Sequence, residues 1–158
     1  MKTSEIIRII LCIILGYVLM FYVQPLIYEN GIIQLGLATA ILKQVWFLDY
    51  YQGAWLVFAF SVIATIAWYV LAAKAKIKGG NDTSKWSVVW WLFLLLPVLS
   101  TLIAIVLFKD KSSFISLSGL YILDGVFLLY WLPTATSSPG LLRNIPPGSQ
   151  LLRSLIGD

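Results

Sequence analysis

Four long apolar stretches run along the chain, and short polar or basic segments separate most of them. A helix needs about 20 predominantly apolar residues to cross the hydrocarbon core of a bilayer, and each stretch has about that length. The predicted spans are residues 6–27, 54–73, 86–108 and 114–132. The pattern therefore predicts an all-α membrane protein, with residues 1–132 forming one domain of four transmembrane helices.

Aromatic residues are concentrated near the predicted ends of these spans. Amphipathic rings settle at headgroup depth, so we expect them at the two membrane interfaces. They are Tyr50, Tyr51, Trp55, Trp68, Tyr69, Trp86, Trp90, Trp91, Tyr130 and Trp131. Only a few polar residues, Lys109 to Ser112, separate the third span from the fourth, which predicts that these two helices are antiparallel neighbours.

The segment between the first two spans is ambiguous. Residues 31–48 are mostly apolar, but their polar side chains fall on scattered sides of a helical wheel. The segment is predicted to be an interfacial or re-entrant helix, or else a fifth crossing. Basic residues favour the inner side of a membrane, and this rule separates the two alternatives.

Four crossings with the N-terminus inside give the stronger charge bias. They place eight basic residues in the cytoplasm, namely Lys2, Arg8, Lys74, Lys76, Lys78, Lys85, Arg143 and Arg153, and leave Lys43, Lys109 and Lys111 outside. A fifth crossing changes the split to six against five and nearly removes the bias. The sequence thus favours four spans with both termini cytoplasmic, in a membrane that we take to be the bacterial inner membrane. Arg8, near the start of the first span, is expected to extend to the headgroups.

The composition agrees with a membrane protein and limits its chemistry. Of 158 residues, 60% are hydrophobic and 11% charged, and the mean hydropathy is +0.91. The net charge of +4 is spread between the apolar stretches, so it does not indicate a nucleic-acid partner. Histidine is absent, which excludes His-ligated haem and catalysis by Ser-His or Cys-His pairs. Without a recognisable catalytic or phosphate-binding motif, we expect neither an enzyme nor a cofactor.

Asp124 lies near the middle of the fourth predicted span, where a carboxylate is costly. The third span offers hydrogen-bond partners, because Pro97 frees the backbone carbonyl of Phe93, and Ser100 and Thr101 lie about one turn from the middle of that span. On its own helix, Tyr121 precedes Asp124 by about one turn. One interpretation makes Asp124 a proton- or cation-binding group of a transporter. The other makes it a protonated side chain that fastens two helices, and the lack of a second ionisable group at the same depth favours this second interpretation.

Residues 133–158 form a tail of different character, rich in Pro, Gly and Ser. Its last segment predicts a short amphipathic helix with Ser149 as N-cap and Gly157 after the C-terminus. The apolar side would be buried on lipid or on a partner, with two arginines near phosphates. The tail residues expected to make these contacts are Arg143, Leu151, Leu152, Arg153, Leu155 and Ile156.

These observations predict a non-enzymatic multi-pass protein that acts as a scaffold, assembly factor or accessory subunit of a membrane protein complex. Its expected partners are membrane lipids and either other membrane subunits or further copies of the chain. The alternative is a small oligomeric channel or proton-coupled transporter that uses Asp124.

Overall fold

The computed structural model describes residues 3–30, 40–75, 84–107 and 114–157, and these residues are almost entirely helical. Three long helices are α1, Thr3–Glu29, α2, Ala40–Lys74, and α3, Ser84–Leu107. A fourth, α4, covers residues 114–137, and the short helix α5, Ser149–Ile156, follows a 3₁₀ turn at Gly140–Leu142. No strand occurs within the described ranges.

Three of the helices are long and apolar enough to cross a membrane. They are Thr3–Glu29, Phe47–Lys74 and Lys85–Leu107, and they correspond to the first three predicted spans. This agreement confirms the all-helical class and is compatible with a membrane protein. The fourth predicted span lies within α4, which continues past Leu132 as far as Ser137.

The segment predicted to be a separate interfacial or re-entrant helix is in part the beginning of α2. Residues 40–48 continue without interruption into the second span, so the prediction is wrong for these residues. No proline or glycine interrupts the helix between Ala40 and Gln52, which explains its continuity. Residues 31–39 lie outside the described part of the chain, as does the predicted turn between α3 and α4.

Contacts between the four long helices show that successive helices alternate in direction. The contacts that fix this arrangement are Gln24–Asp124 and Arg8–Thr136 between α1 and α4, Tyr50–Tyr121 and Trp68–Ser138 between α2 and the α4 region, and Trp90–Thr134 and Thr101–Gly125 between α3 and α4. The beginning of α1 and the end of α4 therefore lie at the same end of the bundle. The tail also packs at this end of the bundle, which we call the tail end.

Several of the aromatic residues that were expected at the membrane interfaces are instead in the core. Tyr50, Trp68, Trp90 and Tyr130 are at most 1% exposed. The polar atom of each donates a hydrogen bond inside the bundle. The expectation of an interfacial belt is therefore wrong for these four rings, although Trp55 and Trp91 remain more than half exposed.

The tail is part of the packed bundle. Leu142 is 1% exposed and belongs to the same core cluster as Trp68, Trp90 and Tyr130. Farther along, the backbone carbonyl of Pro147 accepts a hydrogen bond of 2.9 Å from the indole nitrogen of Trp131. These two contacts hold the residues between α4 and α5 against the tail end.

Gly125 allows α2 and α4 to approach closely, which generates a prediction for Gly125→Ala. An added Cβ would overlap with Cγ1 of Val57, which is fully buried. We expect this overpacking to destabilise the bundle by about 1–3 kcal/mol and to lower its thermal midpoint in detergent.

Gly119→Ala is the matched control for this substitution, because nothing lies within 4 Å of the added Cβ. Alanine favours a helix over glycine by about 1 kcal/mol, so the control should be neutral or slightly stabilising. Equal thermal midpoints for the two variants would contradict the close packing at Gly125.

Candidate functional site

Asp124 is fully buried, and its hydrogen-bond partner is Gln24 of α1. Nε2 of Gln24 donates a hydrogen bond to Oδ2 of Asp124 at 2.5 Å, and Oε1 of the same amide lies 2.6 Å from the Tyr50 hydroxyl. Tyr50 comes from α2, so this chain of contacts connects three helices. The second carboxylate oxygen, Oδ1, is buried and has no hydrogen-bond partner in the described part of the chain.

Two further contacts complete the cluster. The Tyr50 hydroxyl donates to the backbone carbonyl of Met20 at 2.8 Å, and the Tyr121 hydroxyl donates to the backbone carbonyl of Tyr50 at 2.9 Å. The two tyrosine rings stack with their centroids 5.8 Å apart. Asp124, Gln24, Tyr50 and Tyr121 thus form one hydrogen-bonded and stacked group, which we call the Asp124 cluster.

The helices on both sides of the Asp124–Gln24 contact contain π-helical turns. Residues Leu19–Val23 of α1 are π-helical, and Gln24 follows them directly. Residues Ile122–Trp131 of α4 are π-helical and include Asp124. Segments of this kind are frequent at functional sites, because they change the direction of side chains and leave backbone groups out of the regular ladder.

A proline follows each π-helical segment, and side chains of α2 bond to the backbone beside both. Proline has no N–H, so Pro25 cannot donate to the carbonyl of Met20 in the five-residue register that the Gln24 N–H and the Leu19 carbonyl show. The Tyr50 hydroxyl donates to the Met20 carbonyl instead. The Thr65 hydroxyl donates to the carbonyl of Leu129, four residues before Pro133.

None of the partners predicted for Asp124 is among its hydrogen bonds in the described part of the chain. The Ser100 hydroxyl donates to the carbonyl of Pro97, and Tyr121 donates to Tyr50. The Thr101 hydroxyl is buried with no described partner. Ser100 and Thr101 are on α3, whereas the carboxyl group of Asp124 faces α1, so the expectation that they would satisfy it is wrong.

Gln24 and Tyr50 are the site residues that sequence reasoning missed. Gln24 lies near the end of the first predicted span, residues 6–27, and Tyr50 is one of the rings expected at a membrane interface. The available signal was the Gln24-Pro25 pair inside an otherwise apolar run, since a proline in a membrane helix frees a carbonyl that needs a donor. The sequence alone did not indicate which helix would supply that donor.

A second polar cluster lies at the tail end, where two arginines contact the last turn of α4. Nε and Nη2 of Arg153 donate to the carbonyls of Ala135 and Ser138 at 3.1 and 2.7 Å. Nη1 of Arg8 donates to the carbonyl of Thr136 at 3.0 Å. The last carbonyls of a helix lack N–H partners and carry partial negative charge, so guanidinium groups stabilise them. We call these contacts the arginine clamp.

The clamp corrects two expectations about basic residues. Arg8 was expected to extend to the headgroups, but it bonds within the bundle. Arg153 was expected near phosphates, but it is 6% exposed and faces α4. Arg143 remains exposed, in agreement with a position at the surface.

Helix α5 packs against the bundle by its polar side. This side is buried at Ser149 and Arg153, while Leu151, Leu155 and Ile156 are 66%, 76% and 48% exposed and Leu152 is partly buried. The apolar side is not covered by the bundle itself, and its expected burial on lipid or on a partner stays a prediction. The helix follows Gly148, and Ser149 makes no capping hydrogen bond, so the predicted N-cap is wrong. Gly157 has φ of +78° and ends the helix as predicted.

The chemistry available at the Asp124 cluster is that of hydrogen bonds and protons. Within the described ranges, no group of three or more His, Cys, Asp or Glu side chains comes together to hold a metal ion. Asp124 is hydrogen-bonded to the Gln24 amide, whose other end lies beside the Tyr50 hydroxyl. Comparisons of the chain with protein-family models, with curated proteins and with solved structures found no match.

The role assigned to Tyr50 gives a prediction for Tyr50→Phe. The variant keeps the ring but leaves the Met20 carbonyl without a donor, and an unsatisfied buried group costs about 1–3 kcal/mol. We expect a lower thermal midpoint in detergent. Tyr51→Phe is the control, because Tyr51 is adjacent, partly buried and engaged through its ring. Similar losses for both variants would show that the phenol of Tyr50 has no special role.

Proposed function

We propose that the chain is a four-span membrane protein with both termini in the cytoplasm, and that it serves without catalysis as a scaffold, assembly factor or accessory subunit of a membrane protein complex. The fourth span would be α4, whose residues 114–137 contain one charged side chain, Asp124. At about 1.5 Å per residue this helix is long enough for a hydrocarbon core of about 30 Å. The alternating directions of α1 to α4 support an even number of crossings.

The proposed orientation rests on charge. The tail end of the bundle carries the beginning of α1, the end of α2 and the beginning of α3, where most of the basic residues occur. Basic residues are retained on the cytoplasmic side, so the tail end would face the cytoplasm. A bacterial inner membrane is the location that we propose.

Labelling of single cysteines in intact cells tests this topology. In a Cys12→Ala background, Glu29→Cys at the end of α1 should react with an impermeant maleimide added from outside, whereas Gln150→Cys in the tail should react only after lysis. Both positions are exposed in the bundle, so accessibility depends on the membrane. Labelling of Gln150→Cys in intact cells would contradict the proposed orientation.

The observation that carries the proposed function is the way in which the tail is held. The arginine clamp fixes the polar side of α5 to α4, and this leaves Leu151, Leu155 and Ile156 pointing away from the bundle. An isolated helix of eight residues is not stable in water, and here the clamp fixes it. The bundle thus displays a small, rigid apolar surface at its tail end, which suits the docking of a membrane partner.

The double variant Leu151→Ser/Leu155→Ser tests this function. Both side chains are exposed, so the bundle should fold normally, whereas a partner that covers them would lose about 1.5–3 kcal/mol per leucine. We expect loss of the proteins that co-purify with the wild-type chain in mild detergent, measured by mass spectrometry. Ile7→Ser, at an exposed position near the start of α1, is the control and should retain them. Unchanged co-purification in the double variant would make α5 a lipid-facing anchor.

A second function, a small oligomeric channel or proton-coupled transporter, is favoured by one observation. Oδ1 of Asp124 is buried without a described partner, as are the hydroxyls of Ser61 and Thr101 beside Gly125. Unsatisfied polar atoms inside a membrane protein mark candidate ion or proton pathways. This function requires Asp124 to change its charge, whereas a scaffold requires only that the helices stay fastened.

A further inference from the structure

Two buried hydroxyl groups on neighbouring helices have no hydrogen-bond partner in the described part of the chain. They belong to Ser61 of α2 and Thr101 of α3, which are 0% and 2% exposed. Both face the same residue of α4, because the position that a Cβ of Gly125 would take lies 3.1 Å from the Ser61 oxygen and 3.9 Å from the Thr101 oxygen. Two buried oxygens that need partners therefore meet at one place between three helices.

Other hydroxyls of the bundle are satisfied by their own helix. Ser100 donates to the carbonyl of Pro97, and Thr136 donates to the carbonyl of Leu132. A serine or threonine inside a helix generally has such a carbonyl three or four residues before it. For Thr101 the carbonyl four residues before is again that of Pro97, which already accepts from Ser100. The hydroxyl of Thr101 faces α4 instead.

A buried hydroxyl without a partner is unfavourable, and folded proteins commonly satisfy such groups with an internal water molecule. Water has two hydrogens to donate and two lone pairs that accept, and a hydroxyl can both donate and accept. One water can therefore bond to both hydroxyls, whichever way their hydrogens point. Ser61 and Thr101 do not bond to each other directly.

The shape of the site limits the ligand to a very small one. Gly125 has no side chain, so α4 presents only backbone to the two hydroxyls. Val57 of α2 closes the same place, because its Cγ1 atom would overlap with a Cβ at position 125. Val57 is also fully buried, which separates the site from lipid.

We propose that Ser61 and Thr101 bind one water molecule beside Gly125, and that this water joins α2 and α3 to α4. A buried water generally makes about three hydrogen bonds. Two of them go to the hydroxyls. The third falls to the backbone of α4, which is π-helical over Ile122–Trp131 and has groups outside the regular ladder there.

The chemistry of the site favours water over a cation. Calcium and magnesium take six or more oxygen ligands, with carboxylates among them, whereas the two hydroxyls are neutral. The carboxyl group of Asp124, the residue before Gly125, bonds through Oδ2 to Gln24 of α1. The site therefore needs no charged group, and it is compatible with a scaffold and with a transporter alike.

A double-mutant cycle on the protein in detergent micelles tests the shared water. Ser61→Ala and Thr101→Val each remove one hydroxyl with little change of shape. Each single variant should raise the unfolding constant by about fivefold, because one hydroxyl loses its bond to the water and the other is left with a weakened site. The double variant should be no less stable than either single variant, because no hydroxyl then needs the water.

Hydroxyls that bind nothing would give the opposite result. Removal of an unpaired buried hydroxyl is neutral or stabilising, and effects at independent sites add. Thr136→Val combined with Ser61→Ala is the control cycle, because the Thr136 hydroxyl bonds within α4 near the tail end, and its effect should add to that of Ser61→Ala. Additive effects in the cycle of Ser61 and Thr101 would overturn the proposal.

Two further measurements identify the ligand. Nuclear Overhauser transfer from water to the methyl group of Thr101 should occur in the wild type and be lost in Ser61→Ala. Coupling without this transfer would indicate a direct bond between the hydroxyls and would contradict a bound water. The coupling should also persist in choline chloride, since water is always present. Coupling that requires sodium or potassium would show that the ligand is a cation, and the proposal would fail.

Discussion

The arrangement of this bundle depends on the need of every buried backbone carbonyl to have a hydrogen-bond donor. Pro25 removes an N–H from α1 next to a π-helical segment, and Tyr50 of α2 donates to the Met20 carbonyl that this N–H would otherwise serve. Thr65, also of α2, donates to the Leu129 carbonyl of α4. Because these hydroxyls are about four turns apart on one helix, they fix the position of α1 and α4 along α2.

The same requirement explains the tail end. The last carbonyls of α4 have no N–H partners of their own, and guanidinium groups from both ends of the chain satisfy them. Arg153 can reach these carbonyls only when the polar side of α5 faces the bundle. The apolar side is then turned outward, an orientation that would be unfavourable in water and is favourable against lipid or an apolar partner. The proposed docking surface is in this sense a consequence of capping α4.

Most polar side chains inside the bundle each connect two helices, as expected of groups that fasten a membrane protein. The indole nitrogens of Trp68 and Trp90, for example, donate to hydroxyls at the end of α4 and just beyond it. Such contacts are consistent with a structural role in a larger complex. The Asp124 cluster belongs to the same set of contacts, because Gln24 connects α1 to Asp124 of α4 and to Tyr50 of α2.

The sequence alone determined the helical class, the three long helices that are apolar enough to cross a membrane, the cost of burying Asp124 and the glycine that ends α5. Each of these follows from local composition: a long apolar run excludes water, and Gly157 adopts a positive φ that other residues avoid. Only the tertiary structure decided that Gln24 is the partner of Asp124, that Trp68 and Tyr130 are core residues and that Arg153 faces inward. An aromatic or basic residue near the end of a span has the same sequence signature whether it meets a headgroup or a freed carbonyl. Which of the two it meets depends on the helix that packs beside it. The contacts of Gln24 with Asp124 and of Arg8 with Thr136 join residues 100 or more positions apart. Such contacts leave no local pattern in the sequence.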